Sequence, residues 1–195
     1  MDPSRVEQIL IQSEAMLEGH FIFTSGRHGN RYMQCAKILQ YPEFTVELAR
    51  GVAEMYADEK IEVVIGPATG AIILAYEVAK QLKAKNLFAE REEGRMTLRR
   101  GFNLKRGSRV LVVEDVITTG GTVQEVVDLA HSLGAVVAGA AVLVDRSMGV
   151  VDFGVPHKSL MKTELVSWST DDCPLCREGL IPAVKPGSHG MNKKA

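Results

Sequence analysis

RVLVVEDVITTGGTV, residues 109–123, is an aliphatic run that ends in two adjacent carboxylates and passes at once into threonines and a glycine pair. The unbroken apolar piece Val110–Val113 suits a strand covered on both faces, the condition of a parallel sheet. Thr122 and Glu125 have the spacing of a capping box, which predicts a helix beginning at Thr122. Strand followed directly by helix is half of a βαβ unit, and the same alternation continues on both sides. From about residue 42 the chain reads as helix (FTVELARGVAEMYADE), strand (IEVVIG), helix (AIILAYEVAKQLK), strand (NLFAE), charged loop, strand (RVLVVE), helix (TVQEVVDLAHSLG) and strand (VVAGAAVLVD). An α/β fold follows, a twisted parallel sheet flanked by helices.

Ahead of this core, residues 4–18 place Val6, Ile9, Leu10 and Leu17 on one helical face, with Ser4 and Glu7 as a capping box and Gly19 as the stop. FIFTSGRHGNRYMQCAKIL then holds two strand-like pieces around a glycine-containing turn. The expected organisation is one domain over 1–195: a core at about 42–165, and a hood built from about 1–41 with part of the C-terminal segment. The ending VKPGSHGMNKKA is polar and is expected to fray.

With 195 residues, 46% hydrophobic and 24% charged, the chain can bury a core unaided. A net charge of −1 supplies no global field for nucleic acid or a membrane surface, so any polyanion site must be local. MDPSRVEQILIQSEAML does not read as a signal peptide, and AVVAGAAVLV (135–144) is too short to span a bilayer; a cytoplasmic location is the expectation. The odd count of three cysteines argues against a disulfide framework. Cys173 and Cys176 form CPLC, half of a zinc site in spacing, with no second CxxC or HxxxH to complete it. They are read as plain thiols, a site shared between subunits being the alternative, and no metal ligand is assigned. His20, His28, His131, His157 and His189 do not cluster in sequence and are read as structural or surface groups. Trp168 and the methionines are read as packing.

Ligands of open parallel sheets bind beyond the carboxyl ends of the strands. Three exits carry polar chemistry: Gly66-Pro67-Ala68-Thr69-Gly70, then Glu114-Asp115 with Thr118-Thr119-Gly120-Gly121-Thr122, then Asp145-Arg146. At the middle exit, glycines let backbone N–H groups at a helix start approach an anion, and threonine hydroxyls add donors. Phosphate alone does not explain two carboxylates, which would repel it. A ribose, whose hydroxyls donate to them, and Mg²⁺ carried by the ligand do. An isolated acid pair is ordinarily a solvated strand end; the threonine–glycine cap and the two further polar exits favour a ribose-phosphate site. Neither GxxxxGK[ST] nor a GxGxxG after a strand occurs, which disfavours P-loop and dinucleotide folds.

VLVVEDVITTGGT resembles the phosphoribosyl-pyrophosphate motif of type I phosphoribosyltransferases. TSGRHGNRY (24–32), GPATGAI (66–72), the arginine-rich loop 90–102 and LVDR (143–146) resemble the orotate-specific members, and CPLCREGLIPAVKPGS resembles the tail of a subgroup. The resemblance implies Mg²⁺-dependent transfer of a 5-phosphoribosyl unit from phosphoribosyl pyrophosphate to N1 of orotate, in pyrimidine synthesis, by a homodimer. It implies that Thr118, Thr119, Gly120, Gly121 and Thr122 hold the 5′-phosphate, with Val116 and Ile117 in the same motif. Glu114 and Asp115 would bind the ribose hydroxyls, Thr118 and Arg146 would contact orotate, and Arg91 would help hold phosphoribosyl pyrophosphate. The fork of Arg146 matches a carboxylate bidentately; its alternative is a surface ion pair with Asp145.

In the family the loop reaches a neighbouring subunit's site, so Arg91, Arg95, Arg99 and Arg100 could cover the pyrophosphate leaving group and exclude water; as a bare charge cluster it would be a solvated hairpin. Where many members have Arg-Lys-x-x-Lys-x-His, this chain has Arg91-Glu92-Glu93-Gly94-Arg95-Met96-Thr97. Arg95 aligns with the catalytic lysine, stays protonated, and must act electrostatically. A Tyr-Lys pair after Gly-Pro-Ala is Thr69-Gly70 here, and a lysine before Ser-Gly is Thr24. Two other readings share the motif: a transferase for a purine base, which would not need Arg146, and a non-catalytic phosphoribosyl-pyrophosphate sensor that binds nucleic acid, which would want a basic face or an added module.

Overall fold

The computed structural model describes residues 1–23 and 25–186; Thr24, His189 and the polar tail from 187 onward lie outside the described residues. In chain order the elements are α1 (Pro3–Gln12), β1 (Met16–Ile22), β2 (His28–Met33), α2 (Pro42–Met55), β3 (Val63–Pro67), α3 (Ile72–Leu82), β4 (Lys85–Glu92), β5 (Arg95–Leu98), β6 (Arg109–Ile117), α4 (Gly121–Ser132), β7 (Val136–Asp145), β8 (His157–Lys162), β9 (Ser167–Trp168) and α5 (Pro174–Glu178).

Six strands form one sheet in the order β5-β4-β3-β6-β7-β8. All neighbours pair in parallel except β5, which returns antiparallel on β4, so the sheet is mixed rather than purely parallel. Alternation along the strands splits the core in two. On one face Leu111, Val113, Ala141 and Leu143 pack with Leu48, Val52, Leu74 and Val78 of α2 and α3, and with Val6, Ile9 and Leu10 of α1. On the other, Val63, Ile65, Val110, Val112 and Val142 pack with Val123, Val126 and Val127 of α4. Tyr56, fully inside, donates its hydroxyl to the Ala140 carbonyl at 2.7 Å, which satisfies its one polar atom. A second, smaller sheet has the order β1-β2-β9, and Val184 continues it by bonding to both sides of Phe21 (Ile22 N to Val184 O, 2.8 Å; Val184 N to His20 O, 2.9 Å).

The first helix is shorter than its periodicity predicts. Its cap is Asp2, whose Oδ1 accepts from Ser4 N at 2.9 Å with Pro3 in the first turn, and not Ser4. It ends at Gln12, where the Ser13 hydroxyl donates back to Ile9 O at 2.7 Å and Glu14 takes φ 52°. Leu17 therefore belongs to β1. The charged segment after NLFAE is likewise ordered as a hairpin: Glu92 pairs with Arg95 across a two-residue turn in which Glu93 and Gly94 have φ 48° and 83°, the twist that antiparallel strands prefer. Among the described residues no helix is long and apolar enough to cross a membrane.

Candidate active site

From β3 the chain first adds β4 on one side and then returns to lay β6 on the other, which makes the gap between β3 and β6 the switch point where open α/β sheets bind ligands. Since β3, β6 and β7 are neighbours, the three polar exits stand side by side. Arg146 N donates to Ile117 O at 2.9 Å, tying the β7 exit to the β6 exit. A Cβ built on Gly70 would stand 3.8 Å from Asp115 Oδ2, which puts the β3 exit loop against the acid pair.

Helix α4 begins at Gly121, one residue earlier than the capping-box reading places it. Its cap is Gly120 in the left-handed region (φ 76°), with no side chain closing the end. Thr122 does not cap, and Glu125 lies near Arg91 instead, its Oε2 2.6 Å from Nη2 as an ion pair without the alignment of a hydrogen bond. The leading N–H groups of the helix are thus left for a ligand. They open on a cavity of about 70 Å³ lined by Glu114, Val116, Ile117 and the whole 118–123 segment. Thr118, Thr119, Gly121 and Thr122 are exposed there, and a larger cavity of about 530 Å³ adjoins it between Thr118–Gly121 and Val150–Phe153. Gly120 is required on two counts. Its φ is positive, and a Cβ would meet Val151 Cγ1 at 2.6 Å and Phe153 Cε1 at 2.8 Å.

The acids lie inside β6, which runs on to Ile117, rather than at its end. Glu114 lines the cavity with the threonines and Asp115 lies against Gly70, while the two carboxyl groups remain close enough to act on one another and on buried Cys35. Each carboxylate folds back on the backbone: Asp115 N donates to Glu114 Oε1 (3.1 Å) and Val116 N to Asp115 Oδ1 (2.7 Å). Burial raises the pKa of Glu114, and the neighbouring Asp115 charge adds to it; burial also raises Asp115. The pair resists ionising together, and a ligand with hydroxyl donors or a cation would relieve that. Cys35 gave no signal in sequence; burial, with Asp115 beside it, holds its thiol protonated.

Arg146 does not pair with Asp145. Asp145 Oδ1 instead accepts from Ser147 N (2.8 Å) and Ser147 Oγ (2.6 Å). The half-buried Arg146 has a buried Nε without a partner among the described residues, and burial lowers its pKa. In the hairpin, Arg100 grips Glu90 through two bonds (2.8 and 2.9 Å), Arg99 lies 3.2 Å from Glu92, and Arg91 donates to Gly94 O at 2.7 Å besides its contact with Glu125. Arg95 has no ion-pair partner among the described residues. It lines a cleft along α4 with Glu125, Asp128, Leu129 and Ser132, and is not among the residues lining the cavity at 118–123. The structure therefore assembles Glu114, Asp115, Val116 to Thr122 and Arg146, and leaves Arg91 and Arg95 beside α4.

Residues 35–164 match the phosphoribosyl transferase domain model. The orotate phosphoribosyltransferase of Pelotomaculum thermopropionicum is 56% identical over 188 residues, covering 96% of this chain and 98% of that protein. That of Thermotoga maritima is 50% identical, covering 95% of this chain and 99% of that protein. Among solved structures, the orotate phosphoribosyltransferase of Aeropyrum pernix superposes with a TM-score of 0.69 at 27% identity, covering 80% of this chain and 93% of that one.

Proposed function

Because the chain belongs to the phosphoribosyl transferase family, and within it to the orotate phosphoribosyltransferases, we propose that the β6 exit holds phosphoribosyl pyrophosphate while Arg146 presents orotate to its C1′. The reaction breaks the C1′–O bond to pyrophosphate and forms the bond from C1′ to N1 of orotate, giving orotidine 5′-phosphate in pyrimidine synthesis. The 5′-phosphate sits on the open end of α4 and the 118–122 hydroxyls, where the helix end contributes about 0.3–1 kcal/mol, or about 2 if partly buried. Glu114 and Asp115, whose carboxyl groups stand close to one another, accept from the ribose hydroxyls.

The observation that carries the orotate reading is the buried Nε of Arg146, without a partner among the described residues, on a residue whose backbone is tied to the β6 exit at Ile117. A planar guanidinium already desolvated binds a planar carboxylate in two-point fashion, and a purine offers it none. Mg²⁺, held mainly through the pyrophosphate, would favour the ionised form of the acid pair, which burial disfavours, and would offset the charge of the leaving group. Arg95 acts electrostatically on the leaving pyrophosphate from a second copy of the chain, a reading supported by its exposure on β5 at the sheet edge. Such a homodimer would place the β4–β5 hairpin over the neighbour's site and exclude water there.

The test follows loss of orotate absorbance with phosphoribosyl pyrophosphate and Mg²⁺. Conversion dependent on both is expected. Turnover of adenine without turnover of orotate would overturn the assignment.

A further inference from the structure

The CPLC pair finds its missing partners in space. His20 on β1 and His28 on β2 stand diagonally in the antiparallel pair: Ile22 is the partner of His28, and His20 lies two positions back along β1, on the same face. His20 Nε2 and His28 Nδ1 are 2.8 Å apart. Cys173 Sγ lies 3.5 Å from His20 Nε2, and Cys176 Sγ lies 3.6 Å from His20 Nε2 and 3.2 Å from His28 Nδ1. All four donor atoms fall within 4.8 Å of one another. Around a tetrahedral zinc, with Zn–N about 2.0–2.1 Å and Zn–S about 2.3 Å, ligand atoms are about 3.3 Å apart for two nitrogens and about 3.6 Å for nitrogen and sulfur. The three nitrogen–sulfur spacings lie within about 0.4 Å of that pattern and the two nitrogens stand about 0.5 Å closer than it, a fit that small side-chain adjustments would complete.

Hydrogen bonding among the four groups accounts for the cluster poorly. His20 Nδ1 lies 3.0 Å from the Ile181 carbonyl, an acceptor, so that nitrogen carries the proton and Nε2 is a bare lone pair. One lone pair satisfies one donor, yet His28 Nδ1 and both sulfurs crowd it. A cation satisfies all four at once. The Ile181 contact is also the outer-shell support that metal-ligating histidines ordinarily have, fixing tautomer and ring orientation. His20, His28 and Cys173 are buried, with 3%, 6% and 0% exposure, and the four ligands leave no open position for substrate.

We propose that His20 Nε2, His28 Nδ1, Cys173 Sγ and Cys176 Sγ form a closed, structural Zn²⁺ site that staples the C-terminal segment to the β1–β2 pair. The two thiols release their protons to solvent, and the site Zn(Cys⁻)₂(His)₂ is neutral. The staple joins positions 153 residues apart in the chain and fastens a three-stranded sheet whose third strand, β9, has two residues. So small a layer has little apolar core of its own, the situation in which small folds take a metal. The plain-thiol reading counted ligands by spacing along the chain and could not register two histidines supplied by neighbouring strands.

The test is metal analysis of the full-length protein purified without chelator, by mass spectrometry and by release with a mercurial. About one zinc per chain is expected, falling to a small fraction in Cys173→Ser and Cys176→Ser. Should those variants fail to fold, the wild type decides: exchanged with Co²⁺, it should show the intense visible bands of a tetrahedral site and a thiolate-to-metal band in the near ultraviolet. Chelator should lower Tm, with zinc, not Mg²⁺, restoring it. A wild type with less than about a tenth of an equivalent of zinc and no cobalt spectrum overturns the proposal, as does full zinc in both serine variants or a Cys173–Cys176 disulfide in protein isolated under reducing conditions.

Discussion

Replacing Gly120 by alanine tests the cradle through two separable costs. At φ 76° an added Cβ is strained, at about 1–2 kcal/mol for a left-handed residue. The same Cβ would stand 2.6 Å from Val151 Cγ1, 2.8 Å from Phe153 Cε1 and 3.0 Å from Phe153 Cζ, and Phe153 is 3% exposed within the α4 core, so it cannot swing aside freely. Overpacking of that kind costs about 1–3 kcal/mol. Together they predict a loss of about 2–5 kcal/mol, read as a lower urea midpoint at unchanged slope. Any relief by shifting the loop turns the N–H groups of residues 121–123 away from the phosphate, so affinity for phosphoribosyl pyrophosphate should fall at least about tenfold by calorimetry, an effect of about 1.4 kcal/mol. Gly121→Ala is the control. Nothing lies within 4 Å of a Cβ there, so it should unfold like the wild type while its methyl group crowds the ligand. A Gly120→Ala protein as stable as Gly121→Ala, with wild-type affinity, would refute the cradle geometry.

Burial, with Asp115 beside it, pushes Glu114 up to about 8. A raised carboxyl keeps its proton in the folded chain after the unfolded chain has lost it. The resulting stability is complete below the ordinary carboxylate range and disappears as pH rises through about 8. Glu114→Gln should therefore flatten the decline in urea midpoint between about pH 6 and about pH 9 while weakening phosphoribosyl-pyrophosphate binding; an unchanged slope removes Glu114 as its source. Arg146→Lys keeps the charge and loses the fork, so KM for orotate should rise while KM for phosphoribosyl pyrophosphate holds; equal rises in both would mean a general distortion of the β7 exit. Arg95→Ala and Glu114→Gln chains, each inactive alone, should recover about a quarter of wild-type activity when refolded together, because half the dimers then carry one intact composite site. No recovery from a verified mixed dimer would place Arg95 outside the neighbour's site.

The β6 segment was legible because its signals are local. Aliphatics at 110–113 require two covering layers whatever surrounds them, and glycine beside threonine at a strand-to-helix turn makes an anion site from backbone atoms alone. Helix ends and hairpins were harder to read. Ser4 with Glu7 and Thr122 with Glu125 both have capping spacing, yet Asp2 and Gly120 take those positions. A cap depends on which residue the backbone leaves non-helical, and Glu125 is drawn instead to Arg91 on the neighbouring hairpin. The arginine-rich segment reads as a loop because its charges hide a register in which Glu90 faces Thr97 and Glu92 faces Arg95, with Arg100 and Arg99 just past β5 reaching back to Glu90 and Glu92.

By itself, then, the order of residues determined the alternation of strands and helices and marked residues 114–122 and Arg146 as the candidate site, since each signal rests on neighbours in the chain. Tertiary structure alone decided that Arg146 Nε is buried without a partner among the described residues, that Arg95 lines a cleft against α4, and that two histidines of one strand pair meet two cysteines of the C-terminal segment. Those facts depend on strand order and on packing between segments far apart in sequence. No local pattern encodes either one.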